Sequence, residues 1–304
     1  MKILVVGGSY FYGRVFVMLA AKEYRVTVVN RGTYSMEEFG VFQVTGDRRD
    51  ASVWRQCTED YDAIVDFCAY NEGDVAFVLD NLSGKASQYI LISTVDVYER
   101  GSGLVLKEDA PFETRRFAGE TGAYITGKVA LEGELRQQCK KRGINWTVLR
   151  PAILYGPYNY APRESLYIQM AVQEHKLPEI TDATGCFQLV YVKDAAEAVI
   201  KCLGNSTAYG QAYNLCQDGS TDYHGLFAHL HRAAEEQSAE KLQIFPVTTQ
   251  EAQSLGVPLP FPVSAEETEK YSNEKSRREL GLTYTSVSEG IVRTYKAFAG
   301  VFGN

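Results

Sequence analysis

The sequence has no excess of basic residues. In 304 residues, 31 Lys and Arg stand against 38 Asp and Glu, which gives a formal net charge of −7 and a pI near 5.3. Proteins that bind phosphate backbones or anionic membranes usually carry the opposite balance. Nucleic acid is therefore not the expected partner.

The chain also lacks Cys-x-x-Cys pairs and long apolar runs. Its six Cys are widely spaced and several lie in apolar segments, which predicts free, reduced thiols. No apolar run reaches membrane-spanning length, and the strand-like segment at residues 2–7 follows Met1 without a signal peptide's charged and apolar regions. We therefore expect a soluble, cytoplasmic protein that does not enter a membrane.

Metal-binding patterns are equally scarce. His224, His229 and His231 lie close in the sequence, but no Cys or carboxylate recurs beside them at the spacing of metal ligands. We predict no metal site and interpret these His as residues of a helix surface.

Short β-branched runs alternate with helix-length amphipathic segments through the first 150 residues. The predicted strands are Ile3–Val6, Arg25–Val29, Phe42–Val44, Ala63–Phe67, Tyr89–Ile92 and Trp146–Leu149, and predicted helices include Val15–Glu23, Asp74–Leu82 and Gly127–Lys141. Such alternation predicts right-handed βαβ crossovers and a parallel sheet, with ligands outside the carboxyl ends of its strands.

The alternation of strand-like and helix-like segments ends after Pro151. A turn-rich aromatic stretch at 155–162 follows and is a candidate substrate loop. The chain is then predicted to return to the sheet at Gln188–Val192, to form a helix at Asp194–Leu203 and a last strand at Ala212–Cys216, and to be mostly helical afterwards. The expected fold is α/β: a Rossmann-like doubly wound parallel sheet (residues 1–154 plus 187–216) with a smaller, mostly helical C-terminal substrate lobe (residues 155–186 plus 217–304).

A glycine-rich segment, Gly-Gly-Ser-Tyr-Phe-Tyr-Gly at residues 7–13, follows the first strand and opens the first helix. Glycine permits close backbone approach, and a helix N-terminus offers unpaired N–H groups to phosphates. We expect a dinucleotide pyrophosphate on Gly7, Ser9, Tyr10, Phe11, Tyr12 and Gly13. Tyr10 replaces the usual middle glycine, and its ring either lines the adenosine side of the site or weakens binding.

The second strand ends in Asn30-Arg31, where an NAD-selective site usually has Asp or Glu for the ribose hydroxyls. Without that carboxylate a 2′-phosphate is not repelled, and Arg31 has N–H groups to pair with it. We expect NAD(P), with NADP preferred over NAD. The alternative is that Arg31 is only solvated.

The spacing Tyr-x-x-x-Lys occurs at Tyr124–Lys128 and at Tyr271–Lys275. With 20 Tyr in 304 residues, about one copy is expected by chance. The second copy lies in a charged run and is interpreted as part of a solvated helix. The first copy is i, i+4 on a predicted helix, so both side chains share one face.

Thr94 ends the apolar run at 89–94 and adds a hydroxyl to this pair. A phenol beside an ammonium, with a hydroxyl near both, is a proton-transfer site for an alcohol or a ketone. The ammonium is expected to lower the pKa of Tyr124, which then acts as general acid or base.

In combination, these segments resemble the extended short-chain dehydrogenase/reductases, the NAD-dependent epimerase/dehydratase family, and within it an atypical branch that includes plastid RNA-binding relatives. The matching segments run through nearly the whole chain: residues 7–13, 46–50, 67–69, 93–98, 124–128, 149–157, 189–194, 213–214 and 280–281.

The resemblance implies a nicotinamide cofactor, a small C-terminal substrate lobe and commonly a homodimer. It implies catalytic roles for Thr94, Tyr124 and Lys128, with Lys128 also on the nicotinamide ribose. Further cofactor contacts implied by it are Asp47, Arg48, Phe67, Cys68, Ala69 and Pro151.

Departures from the family pattern bear on the substrate. Val95 and Asp96 replace the Asp-Glu pair of sugar dehydratases, so dehydration is not expected; Asp96 either faces the pocket or caps a turn. Ile153 and Phe187 replace an Asn and an Arg that nucleotide-sugar enzymes usually have, which favours a smaller or more apolar ligand.

Aromatic residues of the 155–162 stretch bear on the substrate as well. Tyr155, Tyr158 and Tyr160 either stack on a substrate ring or pack in a core, and Arg163 is a candidate anion contact. We therefore expect an epimerase or reductase acting on a secondary alcohol or ketone of a small, sugar-like molecule. The alternatives are a non-catalytic dinucleotide-binding regulator and an RNA-binding protein on the same fold.

Overall fold

The computed structural model describes residues 1–159, 161, 163–237 and 242–303. In these residues the strands are β1 (Lys2–Val6), β2 (Arg25–Asn30), β3 (Phe42–Thr45), β4 (Ala63–Asp66), β5 (Gln88–Ile92), β6 (Val105–Leu106), β7 (Asn145–Pro151), β8 (Ile153–Tyr155), β9 (Lys176–Ile180), β10 (Cys186–Phe187), β11 (Leu189–Tyr191), β12 (Gln211–Leu215), β13 (Thr221–Asp222), β14 (Gln243–Val247) and β15 (Lys270–Tyr271). The helices are α1 (Phe11–Ala20), α2 (Ala51–Arg55), α3 (Asp74–Asn81), α4 (Gly119–Arg142), α5 (Glu164–Gln173), α6 (Val192–Cys202), α7 (Tyr223–Gln237), α8 (Thr249–Ser254), α9 (Glu274–Leu280) and α10 (Val287–Phe302).

Seven strands form one parallel sheet in the order β12-β7-β5-β4-β1-β2-β3. The chain builds outward from β1 through β2 to β3, and then continues on the other side from β4. The predicted doubly wound sheet is confirmed, and the strand order reverses between β1 and β4, where such sheets bind their ligands.

The sheet is covered on both faces, as the alternation of side chains along β1 requires. Ile3 and Val5 pack in one core with α1 and α6. Leu4 and Val6 pack in the opposite core with α2, α3 and α4. All six Cys are free thiols, as predicted.

Helix α4 starts at Gly119, eight residues earlier than predicted. Glycines in its first turns resemble a loop in the sequence, but Gly122 lies so close to the carbonyl of Phe117 that a Cβ would be 1.9 Å from that oxygen. The glycine is therefore a packing requirement, and Tyr124 remains well inside the helix. Gly143, at φ +67°, ends it in the left-handed conformation.

The strand predicted at Gln188–Val192 does not join the main sheet. Within this segment only β11 forms a strand, and among the described residues it pairs only with β8, in parallel. The place beside β7 is taken by β12 instead. Because β8 follows β7 after a single residue, β11 extends the chain away from the sheet toward the C-terminal lobe.

A second core underlies the C-terminal lobe, formed by side chains of α5, α7 and α10 with short strands between them. Phe187, Leu189 and Tyr191 belong to this core, whereas Leu280 and Leu282 pack in the core of the sheet. The lobe is largely helical, as predicted, and the domain boundaries stay a prediction. No helix in the described part of the chain has the length and apolar composition of a membrane-spanning segment.

Candidate active site

A long groove follows the carboxyl ends of β1, β2, β4 and β5. It consists of two adjoining cavities, of about 640 Å³ and about 560 Å³. Tyr10, Phe67 and Tyr70 line both cavities, so the two are continuous. We call the larger the cofactor cavity and the smaller the reaction cavity.

The glycine-rich segment forms the tight turn that the sequence predicts. Gly7 and Gly8 have φ of +95° and +79°, and a Cβ on Gly13 would lie 2.6 Å from the Cα of Gly8. Only glycine tolerates such an approach. α1 then begins at Phe11, so its unpaired N–H groups lie at the groove.

Most residues predicted to bind the cofactor line the groove. Gly7, Ser9, Tyr10, Asn30, Arg31, Asp47, Arg48, Phe67 and Cys68 line the cofactor cavity, and Phe11, Tyr12, Gly13, Lys128 and Pro151 line the reaction cavity. Gly8 also lines the cofactor cavity. It was not predicted, although its position beside Gly7 in the glycine-rich segment indicates such a role. Ala69 is buried, and its contact with the site is its carbonyl, which accepts a hydrogen bond from the Lys128 ammonium.

Tyr10 lies where the two cavities meet. Its ring is 45% exposed and stacks on Tyr34, with ring centres 6.5 Å apart and an interplanar angle of 22°. Both rings line the cofactor cavity. This position agrees with the first of the two interpretations, a ring that lines the nucleotide site.

Asn30 and Arg31 differ in how far their side chains are engaged. Asn30 is buried, and its Oδ1 accepts a hydrogen bond from the Gly32 N–H at 2.7 Å, which shapes the turn after β2. Arg31 is exposed at the cavity, and no ion pair of its guanidinium occurs within the described residues. Asp47 accepts a hydrogen bond from the Arg49 N–H at 2.8 Å and also orders its own turn.

Arg48 does not have a free guanidinium for adenine. Its two terminal nitrogens donate to both carboxylate oxygens of the buried Asp66 at 2.9 Å, and Nη2 also donates to the carbonyl of Asp74 at 2.9 Å. Asp66 further accepts a hydrogen bond from the Tyr89 hydroxyl at 2.5 Å. Arg48 therefore cross-links β4 to α3. It forms part of the wall of the cofactor cavity, and both terminal nitrogens of its guanidinium already donate hydrogen bonds within the protein.

The three predicted catalytic side chains meet in the reaction cavity. The Lys128 ammonium is buried and donates to the carbonyls of Ala69 and Ile92 at 2.7 and 2.8 Å. It also lies 5.7 Å from the centre of the Tyr124 ring. The end of β5 and one face of α4 thus bring Thr94, Tyr124 and Lys128 together, as the sequence predicts.

Thr94 is engaged by Asp96. The Thr94 hydroxyl donates to Oδ2 of Asp96 at 2.9 Å and accepts a hydrogen bond from the Asp96 N–H at 3.2 Å. Arg100 forms an ion pair with the other oxygen of this carboxylate. The side chain that caps this turn is therefore that of Thr94, whereas the Asp96 carboxylate lines the reaction cavity, the first of its two predicted alternatives.

The pKa of Tyr124 moves against the expectation. Burial and the negative charge of Asp96 raise the pKa of this phenol, and hydrogen bonding with Thr94 only partly opposes them. Burial also lowers the pKa of Lys128 to about 8. The Lys128 charge is directed to two backbone carbonyls, so the expected lowering of the Tyr124 pKa is wrong for the chain alone.

Residues of the C-terminal part complete the reaction cavity, and the sequence interpretation missed them. Tyr271 is in strand β15, not in a helix, and it stacks on Tyr98 with ring centres 6.2 Å apart. Lys275 lies on α9 and donates to Gln211 Oε1 at 2.7 Å, away from the cavity. The second Tyr-x-x-x-Lys copy is therefore not a unit, but its Tyr271 lines the reaction cavity with Glu267 and Glu269.

Tyr155 packs in a core, the second of its two predicted alternatives. It is fully buried in the core of the C-terminal lobe, packs on Tyr191, and has a hydroxyl without a hydrogen-bond partner among the described residues. Gly290 approaches it so closely that a Cβ there would lie 1.9 Å from that hydroxyl. Tyr158 packs under the Arg14 guanidinium, and Tyr160 lies outside the described residues.

The other predicted substrate residues, Ile153, Arg163 and Phe187, line the reaction cavity. Phe187 stacks on Phe261 at 4.5 Å between ring centres, which makes that wall apolar. Arg163 donates to the carbonyl of Leu154 at 3.5 Å. On α7, His224 lies 3.5 Å from Glu179 and His231 lies 3.7 Å from Glu235, and the described residues contain no group of three or more metal-ligand side chains.

A model of the NAD dependent epimerase/dehydratase family matches residues 3–216. The chain belongs to this family. Among its relatives, the chloroplast stem-loop binding protein of 41 kDa b from Arabidopsis thaliana is 28% identical over 242 residues, which are 74% of this chain and 61% of that protein. The chain thus spans less than two thirds of that relative. A dTDP-glucose 4,6-dehydratase of Mycobacterium tuberculosis is 24% identical over 249 residues, 73% of this chain and 74% of that enzyme.

Solved structures of the same family share the fold. A dTDP-glucose 4,6-dehydratase from Bacillus anthracis in complex with NAD has a TM-score of 0.77 at 18% identity, covering 99% of this chain and 97% of that one. A UDP-glucose 4-epimerase from Thermotoga maritima with UDP-glucose has a TM-score of 0.76 at 17% identity, covering 99% of both chains. These likenesses confirm the Rossmann-like fold, and the match to the family model confirms the family resemblance.

Proposed function

We propose that this member of the epimerase/dehydratase family is a nicotinamide-dinucleotide-dependent oxidoreductase of the epimerase or reductase type. Its substrate would be a secondary alcohol or ketone of a small, sugar-like molecule. The observation that carries the proposal is that Thr94, Tyr124 and Lys128 all line the reaction cavity, and that this cavity is continuous with the cofactor cavity and its glycine turn.

The groove residues fit a dinucleotide. The turn at Gly7 and Gly8 leaves room for backbone N–H groups to approach a pyrophosphate, and the N-terminus of α1 supplies the positive dipole end. Phe67 and Cys68 would border the ribose of the nicotinamide half, and Pro151 its ring. Tyr10 and Tyr34 would line the adenosine half.

A bound nicotinamide ring would accept or donate the hydride, and in its oxidised form would add positive charge beside the phenol. Tyr124 is the group that moves the proton, because it lines the cavity beside Thr94 and its raised pKa keeps the phenol protonated. In the reducing direction it would donate that proton to the carbonyl oxygen. Thr94 would hold the same oxygen, which requires its hydroxyl to turn from Asp96.

Lys128 has a structural and an electrostatic part in this scheme. Two of its N–H groups are held by the carbonyls of Ala69 and Ile92, which fixes the ammonium at the base of the cavity. The third remains for a ribose hydroxyl. The exposed guanidinium of Arg31 and the absence of an acidic residue after β2 support NADP over NAD.

Dehydration is not part of the proposal, although relatives include dTDP-glucose 4,6-dehydratases. The residue after Thr94 is Val95, which is buried and offers no acid or base. Asp96 is present, but its carboxylate is held by Thr94 and Arg100. Elimination of water would lack one of the two carboxylates that the dehydratase pattern supplies.

A second candidate is binding of a nucleic-acid stem-loop, which the name of the Arabidopsis relative supports. The net charge of −7 weighs against it. So do the contacts of the basic segment after β3, because Arg48 is neutralised by Asp66 and Arg49 lies 3.5 Å from Asp74. A non-catalytic regulator is the third alternative, and a homodimer is the assembly that the family resemblance suggests.

Fluorescence titration with NADPH and NADH tests the cofactor proposal. Saturable binding is expected, tighter for NADPH, and Arg31→Gln should remove the preference while leaving NADH binding unchanged. Absence of saturable binding of either dinucleotide would exclude the function. Stem-loop RNA titrated into the same preparation distinguishes the second candidate.

Screening of alcohols and ketones with the binding-competent protein tests the catalytic assignment. On any substrate found, Tyr124→Phe should lower turnover by about 10²- to 10⁴-fold, because a positioned acid contributes this much. The same variant should still bind NADPH. Unchanged turnover would contradict the role of Tyr124.

A further inference from the structure

A segment of the C-terminal part contributes three side chains to the wall of the reaction cavity. Glu267, Glu269 and Tyr271 all line the cavity. Glu267 ends a short 3-10 turn over Ala265–Glu267, and Glu269 and Tyr271 follow at the spacing of two that turns side chains of an extended chain to one face. We call these three residues the acidic strip.

The acidic strip is tied to the segment that follows Asp96. β15 pairs with β6, with Tyr271 opposite Leu106, and Oε1 of Glu269 accepts a hydrogen bond from the Gly101 N–H at 2.8 Å. Oε2 of Glu267 accepts from the N–H of Val263 at 2.8 Å, within the turn that Ser264 caps. Each carboxylate is therefore held by backbone through one oxygen, and the other oxygen carries no hydrogen bond to a described residue.

Two of the three cations of the reaction cavity are already engaged. Arg100 is neutralised by its ion pair with Asp96, and the Lys128 ammonium is buried and held by two carbonyls. Arg163 donates to the carbonyl of Leu154 at 3.5 Å and keeps its positive charge. The substrate side of the cavity thus presents two carboxylates, a phenol and the apolar faces of Phe187 and Pro262, with Arg163 as a cation that no carboxylate of the described residues pairs.

We infer that the acidic strip selects a small hydroxylated substrate, neutral or carrying an amino group, and disfavours a nucleoside diphosphate. This inference rests on the proposed function and names its substrate class. Carboxylate oxygens accept hydrogen bonds from hydroxyl or ammonium groups, whereas two like charges repel a diphosphate. The cavity of about 560 Å³ would also have to hold the nicotinamide half of the cofactor, which leaves room for a small molecule.

Isothermal titration with three probes tests the inference: glucosamine, glucose and UDP-glucose, each with and without NADPH. Glucosamine should bind the wild-type protein more tightly than glucose does. In Glu267→Gln/Glu269→Gln that preference should disappear, and UDP-glucose should bind about tenfold more tightly, with the difference shrinking at high salt. Glu266→Gln, an exposed neighbour that does not line the cavity, is the matched control and should behave as wild type.

Two outcomes overturn the inference. One is an unchanged affinity for glucosamine and UDP-glucose in the double variant, including affinity too weak to detect in both proteins. The other is UDP-glucose binding wild type more tightly than either sugar and losing that affinity in Arg163→Gln, because the diphosphate would then be recognised by Arg163. NADPH binding is measured separately in wild type and in all variants. If wild type does not bind NADPH, the proposed function itself fails. If it binds NADPH but gives either outcome above, only the inferred substrate class fails.

Discussion

The Thr94 hydroxyl donates its hydrogen to Oδ2 of Asp96 at 2.9 Å, so two groups that line the reaction cavity are hydrogen-bonded to each other. Burial raises the pKa of Tyr124, and the charge of Asp96 raises it further. One carboxylate therefore acts both on the direction of the Thr94 hydroxyl and on the acidity of the phenol.

Asp96→Asn should shift the pH dependence of the reaction. Removal of the negative charge lowers the pKa of Tyr124, so alcohol oxidation, which needs the phenolate, should begin at lower pH in the variant. The measurement is the rising limb of kcat/KM against pH on a substrate found by screening. A limb at the same pH in both proteins would show that Asp96 does not act on Tyr124.

Lys128 should make the stability of the protein depend on pH in a window above 8. Burial lowers its pKa from 10.5 to about 8, so below pH 8 it is protonated in both folded and unfolded chains and the burial cost is constant. Between about pH 8 and 10.5 the folded chain loses the proton first, so stability should rise by about 3 kcal/mol relative to Lys128→Met. The free energy of unfolding, measured by urea denaturation across this window, tests the prediction. Lys140→Met, on the exposed side of α4, is the control for net charge. If the free energies of wild type and Lys128→Met changed with pH in parallel, the burial effect would be contradicted.

Arg48→Met should destabilise the fold. It leaves the carboxylate of Asp66, which is fully buried, without its guanidinium partner, and breaking such a pair costs about 3–5 kcal/mol. Arg49→Met removes an ion pair whose Arg is 64% exposed and should cost less than about 1 kcal/mol. Equal free energies of unfolding for the two variants would contradict the structural role of the Arg48–Asp66 pair.

Gly13→Ala should disrupt the turn that forms the groove. Its Cβ would lie 2.6 Å from the Gly8 Cα and 2.9 Å from the Gly8 nitrogen, both backbone atoms, and such overpacking costs about 1–3 kcal/mol. NADPH affinity should fall with it. Gly133→Ala, on the exposed face of α4 with open space around it, should instead stabilise by about 0.5–1 kcal/mol and leave NADPH binding unchanged.

Tyr155→Phe should leave turnover unchanged and stabilise the protein by up to about 1 kcal/mol. The variant removes a buried hydroxyl that has no hydrogen-bond partner, and the ring remains packed on Tyr191. The checks are the free energy of unfolding and KM on a substrate found by screening. A large rise in KM would place Tyr155 on the substrate after all.

The fold and the meeting of the candidate catalytic side chains were largely predictable because they depend on short-range patterns. Short β-branched runs such as β1, the glycines at 7 and 8, and the i, i+4 spacing of Tyr124 and Lys128 each involve neighbours in sequence. Parallel strands bring their carboxyl ends to one edge, so Thr94 after β5 had to lie near the glycine turn after β1. The helix that carries Lys128 was predicted, but its first two turns, which carry Tyr124, lie before the predicted start at Gly127.

The sequence says less about side chains whose partners are distant in the chain. Arg48 lines the cofactor cavity, but its guanidinium is held by Asp66 and the Asp74 carbonyl, which belong to another βα unit. For Tyr155 the sequence left stacking on a substrate ring and packing in a core open, and the structure shows core packing. Tyr271 was assigned to a solvated helix because nothing near it indicates pairing with β6.

The parallel doubly wound sheet, the glycine-rich turn and the shared helix face of Tyr124 and Lys128 were therefore present in the chain's local patterns, since backbone conformation responds first to adjacent residues. Packing of remote segments set the rest: which carboxylate neutralises which cation, which Tyr is buried and which faces the cavity, and in which direction burial moves the pKa of Tyr124. These depend on dielectric surroundings and on contacts between segments such as 96–101 and 267–271, which come together only when the C-terminal part folds over the sheet.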